Sequence, residues 1–128
     1  MDNTVYTITY KGKGVSLNAF YSQGHWHKRN AIKNEYGAIF RSLLQEAKVP
    51  KLDKFNMVIR YNSRHDLDNI VGMSKILVDT MKKKKDDKGN VLNDWYIEDD
   101  SKRYFRGLCI VPDESLDNNT FVFQIKSL

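Results

Sequence analysis

The sequence predicts an α+β fold: one domain, spanning 1–128, in which a mixed β-sheet carries two main helices packed on it. Three observations lead there. Stretches of β-branched and aromatic residues occur near both ends and in the middle of the chain, two longer stretches repeat apolar residues every three or four positions, and together they run in the order β-α-β-α-β-β. At 128 residues the chain is large enough to bury a core without disulfide staples.

"TVYTITYKG" alternates and is rich in Thr, Val, Ile and Tyr, so it is the first strand, ending at the glycines of "KGKG". Those glycines mark a turn. A phosphate-binding loop would need the wider spacing that ends in Gly-Lys-Ser/Thr before a helix. From about Asn30 to Ala47, the spacing of Ile32, Tyr36, Ile39, Phe40, Leu43, Leu44 and Ala47 predicts an amphipathic helix. "VPKLDK" breaks it, and "KFNMVIRYN" then sets Phe55, Met57, Ile59 and Tyr61 on one face of a second strand. "NIVGMSKILVDTM" has Ile70, Met73, Leu77 and Met81 at helical spacing, with Asn69 as the expected N-cap. The charged, turn-rich "KKKKDDKGNVLND", 82–94, reads as an exposed, mobile basic loop. A short "WYI", a longer "YFRGLCIV", a turn through "PDESLDNN" and a closing strand "TFVFQIK" complete the chain.

Lys and Arg number 21 against 16 Asp and Glu, a net charge of +5 that favours polyanionic partners. Were Asp66, Asp68, Glu98, Asp99 and Asp100 to cluster, the rest would hold 21 basic against 11 acidic residues, an acidic spot in a field of +10. The single cysteine, Cys109, sits in "GLCIV" among apolar residues, has no partner for an internal disulfide, and is expected to be a buried core thiol in a reducing compartment. No run approaches the ~20 apolar residues of a membrane span, and the N-terminus lacks a basic-then-apolar leader, so a cytoplasmic protein is expected.

The chemistry concentrates in "RHDLDN". Asp66 and Asp68 are two apart, so in extended backbone both carboxylates leave one face; on a helix they would diverge by about 200°. "IEDD", 97–100, follows another strand-like stretch and would meet the first pair if the two strands were neighbours. Three or four carboxylates in one place repel one another and take up protons unless a cation sits among them. Mg²⁺ suits such a site, because it takes a few carboxylate oxygens and keeps waters for substrate phosphates. Held that way, it polarises a phosphodiester and activates water. The plainer alternative is that the two aspartates favour the N-terminus of the next helix.

"RHDLDN", "KILVDTM" and "WYIEDDSK", together with the earlier "SLNAFY", a basic segment and a long helix, resemble the RusA family of Holliday junction resolvases. That family carries D-L-D-N, a lysine, a helical aspartate four residues after it and a downstream D-D pair. The resemblance covers most of the chain in order. It implies a RusA-like fold and a homodimeric endodeoxyribonuclease that binds four-way DNA junctions and resolves them by paired symmetric nicks, using Mg²⁺, or Mn²⁺ as a substitute, and no organic cofactor. It also implies a bacterial host, by way of phage or prophage. By position, Asp66, Asp68 and Asp100 match the essential carboxylates and Asp99 the less critical member of the D-D pair. The family lysine falls at Gly72 here; Lys75 keeps the four-residue spacing to Asp79 and stands close to one turn further on, so Lys75 is expected to reach the metal-bound phosphate.

Around these residues, Lys28, Arg29 and Lys33 are expected to contact phosphates, with Trp26 stacking on an unpaired base. His25 and His27, without a third ligand, are read as loop residues rather than a zinc site. Arg60 and Arg64 flank the aspartates as phosphate contacts or structural counterions. Lys82, Lys83, Lys84 and Lys85 form either a phosphate-gripping flap or a solvated loop. Two alternatives to junction cleavage stay open: a structure-selective nuclease acting on other branched DNA or RNA, and a junction-binding protein that does not cut.

Overall fold

The computed structural model describes residues 4–12, 26–64 and 67–128, with the side chains of 26–30, 32 and 68 outside that set. In chain order the elements are β1 (Val5–Lys11), α1 (Trp26–Glu46), β2 (Phe55–Asn62), α2 (Leu67–Met81), β3 (Phe105–Pro112) and β4 (Thr120–Ser127). The strands form one four-stranded sheet in the order β1-β4-β2-β3. β4 is antiparallel to β1 and β2, whereas β2 and β3 run parallel, which makes the sheet mixed. A parallel pair needs a long crossover, and α2 with the segment after it supplies one.

The period-two pattern of β2 decides which face is covered. Phe55, Met57, Ile59 and Tyr61 are buried, and across the ladder Met57, Ile59 and Tyr61 pair with buried Ile125, Phe123 and Phe121 of β4. Phe40 and Leu44 of α1 and Ile70, Met73, Leu77 and Met81 of α2 join the same cluster, so both helices lie on one face of the sheet. Phe40 meets Phe123 edge-on, with ring centroids 5.4 Å apart. Inside α2 the buried hydroxyls of Ser74 and Thr80 are satisfied by the carbonyls of Val71 and Ile76, at 2.6 and 2.8 Å.

Several expectations are corrected. α1 begins at Trp26 rather than near Asn30, which takes His27, Lys28 and Arg29 into its first turn instead of a loop. α2 begins at Leu67, so Asn69 lies inside the first turn rather than capping it; an acidic residue such as Asp68 is favoured in a first turn, which lets the helix start upstream. "WYI" is no strand: Ile97 alone bridges Lys82, and its side chain is buried. Cys109 is exposed, not buried. It pairs with Val58 of β2, one residue out of phase with Met57 and Ile59, and therefore belongs to the face that the helices leave uncovered.

The 82–94 segment is exposed and tied together by hydrogen bonds. Lys82 bridges Ile97 at its base and Lys85 bridges Val91. Within it, Asp86 accepts from the N–H groups of Lys88 and Asn90 at 2.9 and 2.8 Å. Gly89 turns the tip at φ 83°, a conformation that a side chain would strain although the space is open. At the base, the Asn93 amide donates to the Lys82 carbonyl and its oxygen accepts from the Lys84 N–H.

Candidate functional site

Asp66 lies outside the described residues. Asp68 is the second residue of α2, so the extended stretch expected to align the two carboxylates is absent from at least its second half. What the helix does instead is place position 68 seven residues before Lys75, on one stripe with Val71.

Asp99 and Asp100 lie on the bend that leads into β3, where no strand forces neighbours to opposite faces. Each carboxylate stands 3.4 Å from the Lys82 ammonium. Partial burial works to lower the Lys82 ammonium's pKa, but Asp100 and then Asp99 outweigh it and raise the value above the usual lysine range. The Asp99 carboxyl is held below its ordinary range, first by the Asp100 backbone N–H, then by the Asp100 side chain and Lys82. The pair thus already holds one cation between its members, which is the chemistry a metal would ask of it.

The stretch before "IEDD" is no strand, so the strand pairing expected to bring the two acidic groups together does not form; the strand that follows it, β3, lies beside β2 and parallel to it. Phe55 is beside Phe105 and Tyr61 beside Pro112. Asp99 and Asp100, which precede Phe105, are therefore towards the start of β2, whereas position 68, in the first turn of α2, comes after its end. Along α2, thirteen residues separate position 68 from Met81, a rise of about 20 Å, and Lys82 follows the helix. Among the described residues no three of His, Cys, Asp and Glu come together to hold a metal ion; Asp99 and Asp100 are a pair, and a fuller set would have to include Asp66 and Asp68.

Lys75 and Asp100 do meet at one pocket. Val71, Ser74, Lys75 and Val78 of α2, with Asp100, Phe105 and Leu108, enclose about 230 Å³ between the helix and β3. Asp68 precedes Val71, at the rim of this pocket, by three residues or about 4.5 Å of helix.

The other basic positions are mostly engaged. Arg60 pairs with Asp113, so it is a structural counterion in this structure. Lys83 stands 3.5 Å from Glu98 and 4.7 Å from the centre of the Trp95 ring, and Lys84 is 3.5 Å from Asp79. Lys85 has no ion pair among the described residues, and Arg64 is exposed beyond β2. The side chains of Trp26, His27, Lys28 and Arg29 lie outside the described residues, as does His25.

Lys33 reaches across from α1 to Asp79 at 2.9 Å. This helix-to-helix pair was not legible in the sequence, since nothing there states that α1 packs beside α2. Partial burial works to raise the Asp79 carboxyl's pKa, yet Lys33 and Lys84 outweigh it and hold the value below the ordinary aspartate range. A depressed folded-state pKa gives stability that is present above the unfolded value, about 3.9, and is lost as pH falls through the folded one. Asp79→Asn is therefore expected to cost roughly 0.5–1 kcal/mol at neutral pH, the partners being partly exposed. Urea melts should show the difference from the parent closing below about pH 4; a gap that persists at pH 2 would contradict the assignment.

Compared with known proteins, the chain matches no family model and no curated protein.

Proposed function

We propose that the protein is a metal-dependent endodeoxyribonuclease that binds four-way DNA junctions and resolves them by paired symmetric nicks. One observation carries this: position 68 begins a stripe of α2 that continues to Lys75, and Lys75 lines a pocket with Asp100, which supports a reading in which "KILVDTM" and "WYIEDDSK" act at one place. Asp66, Asp68 and Asp100, with Asp99 beside them, would hold Mg²⁺ or Mn²⁺. When bound, the ion supplies Lewis-acid polarisation of a phosphodiester and an activated water. Lys75 contributes a point charge to the same phosphate, and Ser74 and Val71 shape the wall next to it. Gathering this set requires Asp100 to exchange Lys82 for the ion.

The proposal extends to a homodimer, because one cluster per chain cuts one strand and paired nicks need two clusters about a twofold axis. Its support is β3, which among the described residues pairs with β2 alone and stands at the edge of the sheet, with Leu108 on one face and Val111 on the other, 39% and 41% exposed. An apolar edge of that kind is suited to a second copy.

A second reading, binding without cutting, is favoured by the Asp99–Lys82–Asp100 arrangement: with Asp100 retained there, the basic surface grips DNA and no ion joins the two acidic groups. Incubating the protein with a synthetic four-way junction, a flap and a fork, with and without Mg²⁺, separates the two. Nuclease action predicts Mg²⁺-dependent nicks at symmetric positions on the junction, slowed about 10²-fold in Lys75→Ala, the scale for removing one charge-stabilising group. Junction binding with no nicks under any metal would leave the second reading, and cutting of flaps or forks alone would move the substrate class.

A further inference from the structure

A second pocket lies between α1 and α2 and shares no lining residue with the one that contains Lys75. Lys33, Asn34, Gly37, Arg41, Asp79, Thr80 and Lys84 surround about 280 Å³. Lys33, Gly37 and Arg41 are four residues apart in turn and form one stripe of α1. Gly37 opens the middle of that stripe: a Cβ there would stand 3.3 Å from the Thr80 Oγ1, so the helices approach closely at this point and the two cations flank the gap. Lys84 approaches from beyond the end of α2.

The charges do not cancel. Asp79 takes both Lys33, at 2.9 Å, and Lys84, at 3.5 Å, and so anchors two ammonium groups at the pocket wall. Arg41 is exposed and has no ion pair among the described residues. Three cations against one carboxylate leave an excess of two, with a guanidinium fork suited to two oxygens of one phosphate and an Asn34 amide able to donate a further hydrogen bond. Lys75 and Asp79 are one turn, about 6 Å, apart along α2, so a strand whose phosphate lies at Lys75 can place a neighbouring one here.

We propose that this pocket binds a backbone phosphodiester of the DNA, with Arg41 as the principal contact and Asp79 as the residue that positions Lys33 and Lys84. The inference rests on the DNA-binding part of the function proposed above, and not on cleavage.

The test is the salt dependence of binding to a synthetic four-way junction in EDTA, by fluorescence anisotropy, for the parent, Arg41→Gln and the double variant Lys33→Gln/Arg41→Gln. Each lost phosphate contact should lower the slope of log K against log salt by about 0.9 and weaken binding several-fold at about 100 mM salt. Thermal melts check that both variants stay folded. Affinity and slope unchanged in folded Arg41→Gln and in the double variant would overturn the inference while leaving DNA binding itself intact. A parent that binds no DNA would overturn both proposals. A parent that binds with the predicted Arg41 dependence but never cuts would support the pocket and remove the nuclease. Titration with inorganic phosphate alone completes the design: saturation of the pocket, with junction binding indifferent to Arg41, would assign it to a free anion and overturn the DNA-backbone assignment.

Discussion

Asp100→Asn should cut four-way junctions about 10²–10³-fold more slowly than the parent, with junction affinity retained or increased. Asparagine keeps the shape and loses the charge, and a metal that stabilises several kcal/mol of transition-state charge gives up that amount when one of its carboxylates is neutralised. Affinity is expected to hold because Asp100 is an anion, and neutralising it also relieves the Lys82 ammonium of one of the two carboxylates that now occupy it. Initial nicking rates at saturating protein, set beside anisotropy titrations of the same variant, check both halves. Binding without cutting predicts that Asp100→Asn changes affinity alone. A variant that cuts at the parent's rate excludes Asp100 from catalysis.

The second large effect is on stability. Phe40→Ala should destabilise the protein by about 3–5 kcal/mol, the range for truncating a buried aromatic where neighbours cannot close the void. Phe40 is fully buried and is the point where α1 meets the sheet, with Phe123 at 5.4 Å and Tyr10 at 6.3 Å between ring centroids. Because Lys33 and Arg41 sit on the same helix, loosening its seat also loosens the pocket with Asp79. Urea denaturation of the parent and of Phe40→Ala measures the effect. A loss under 1 kcal/mol would mean that α1 is held elsewhere.

The fold was legible where burial imposes a period. Phe55, Met57, Ile59 and Tyr61 alternate because one face of β2 is covered, and Ile70, Met73, Leu77 and Met81 recur because one face of α2 is. Cys109 was misread because its apolar neighbours suggested a core strand, while the edge position and phase of β3 depend on pairing, which local composition does not carry. The placement of Asp99 and Asp100 before β3 has the same origin. The strand expected before "IEDD" does not form, and the parallel pairing of β2 with the later β3 is a matter of topology that local composition does not carry. Lys75 is a different case. The resemblance singled it out, helical spacing put it close to one turn from Gly72, and it lines a pocket with Asp100. The Lys33–Asp79 pair needed the packing of α1 on α2.

Everything enzymatic here depends on distant carboxylates sharing one divalent ion, and Mn²⁺ binding measures that directly. Calorimetric titration of Mn²⁺ into the junction-bound protein, repeated for Asp68→Asn and Asp100→Asn, should show binding in the parent that is lost or greatly weakened in each variant. Binding that survives both substitutions unchanged, or is absent from the parent, would contradict it.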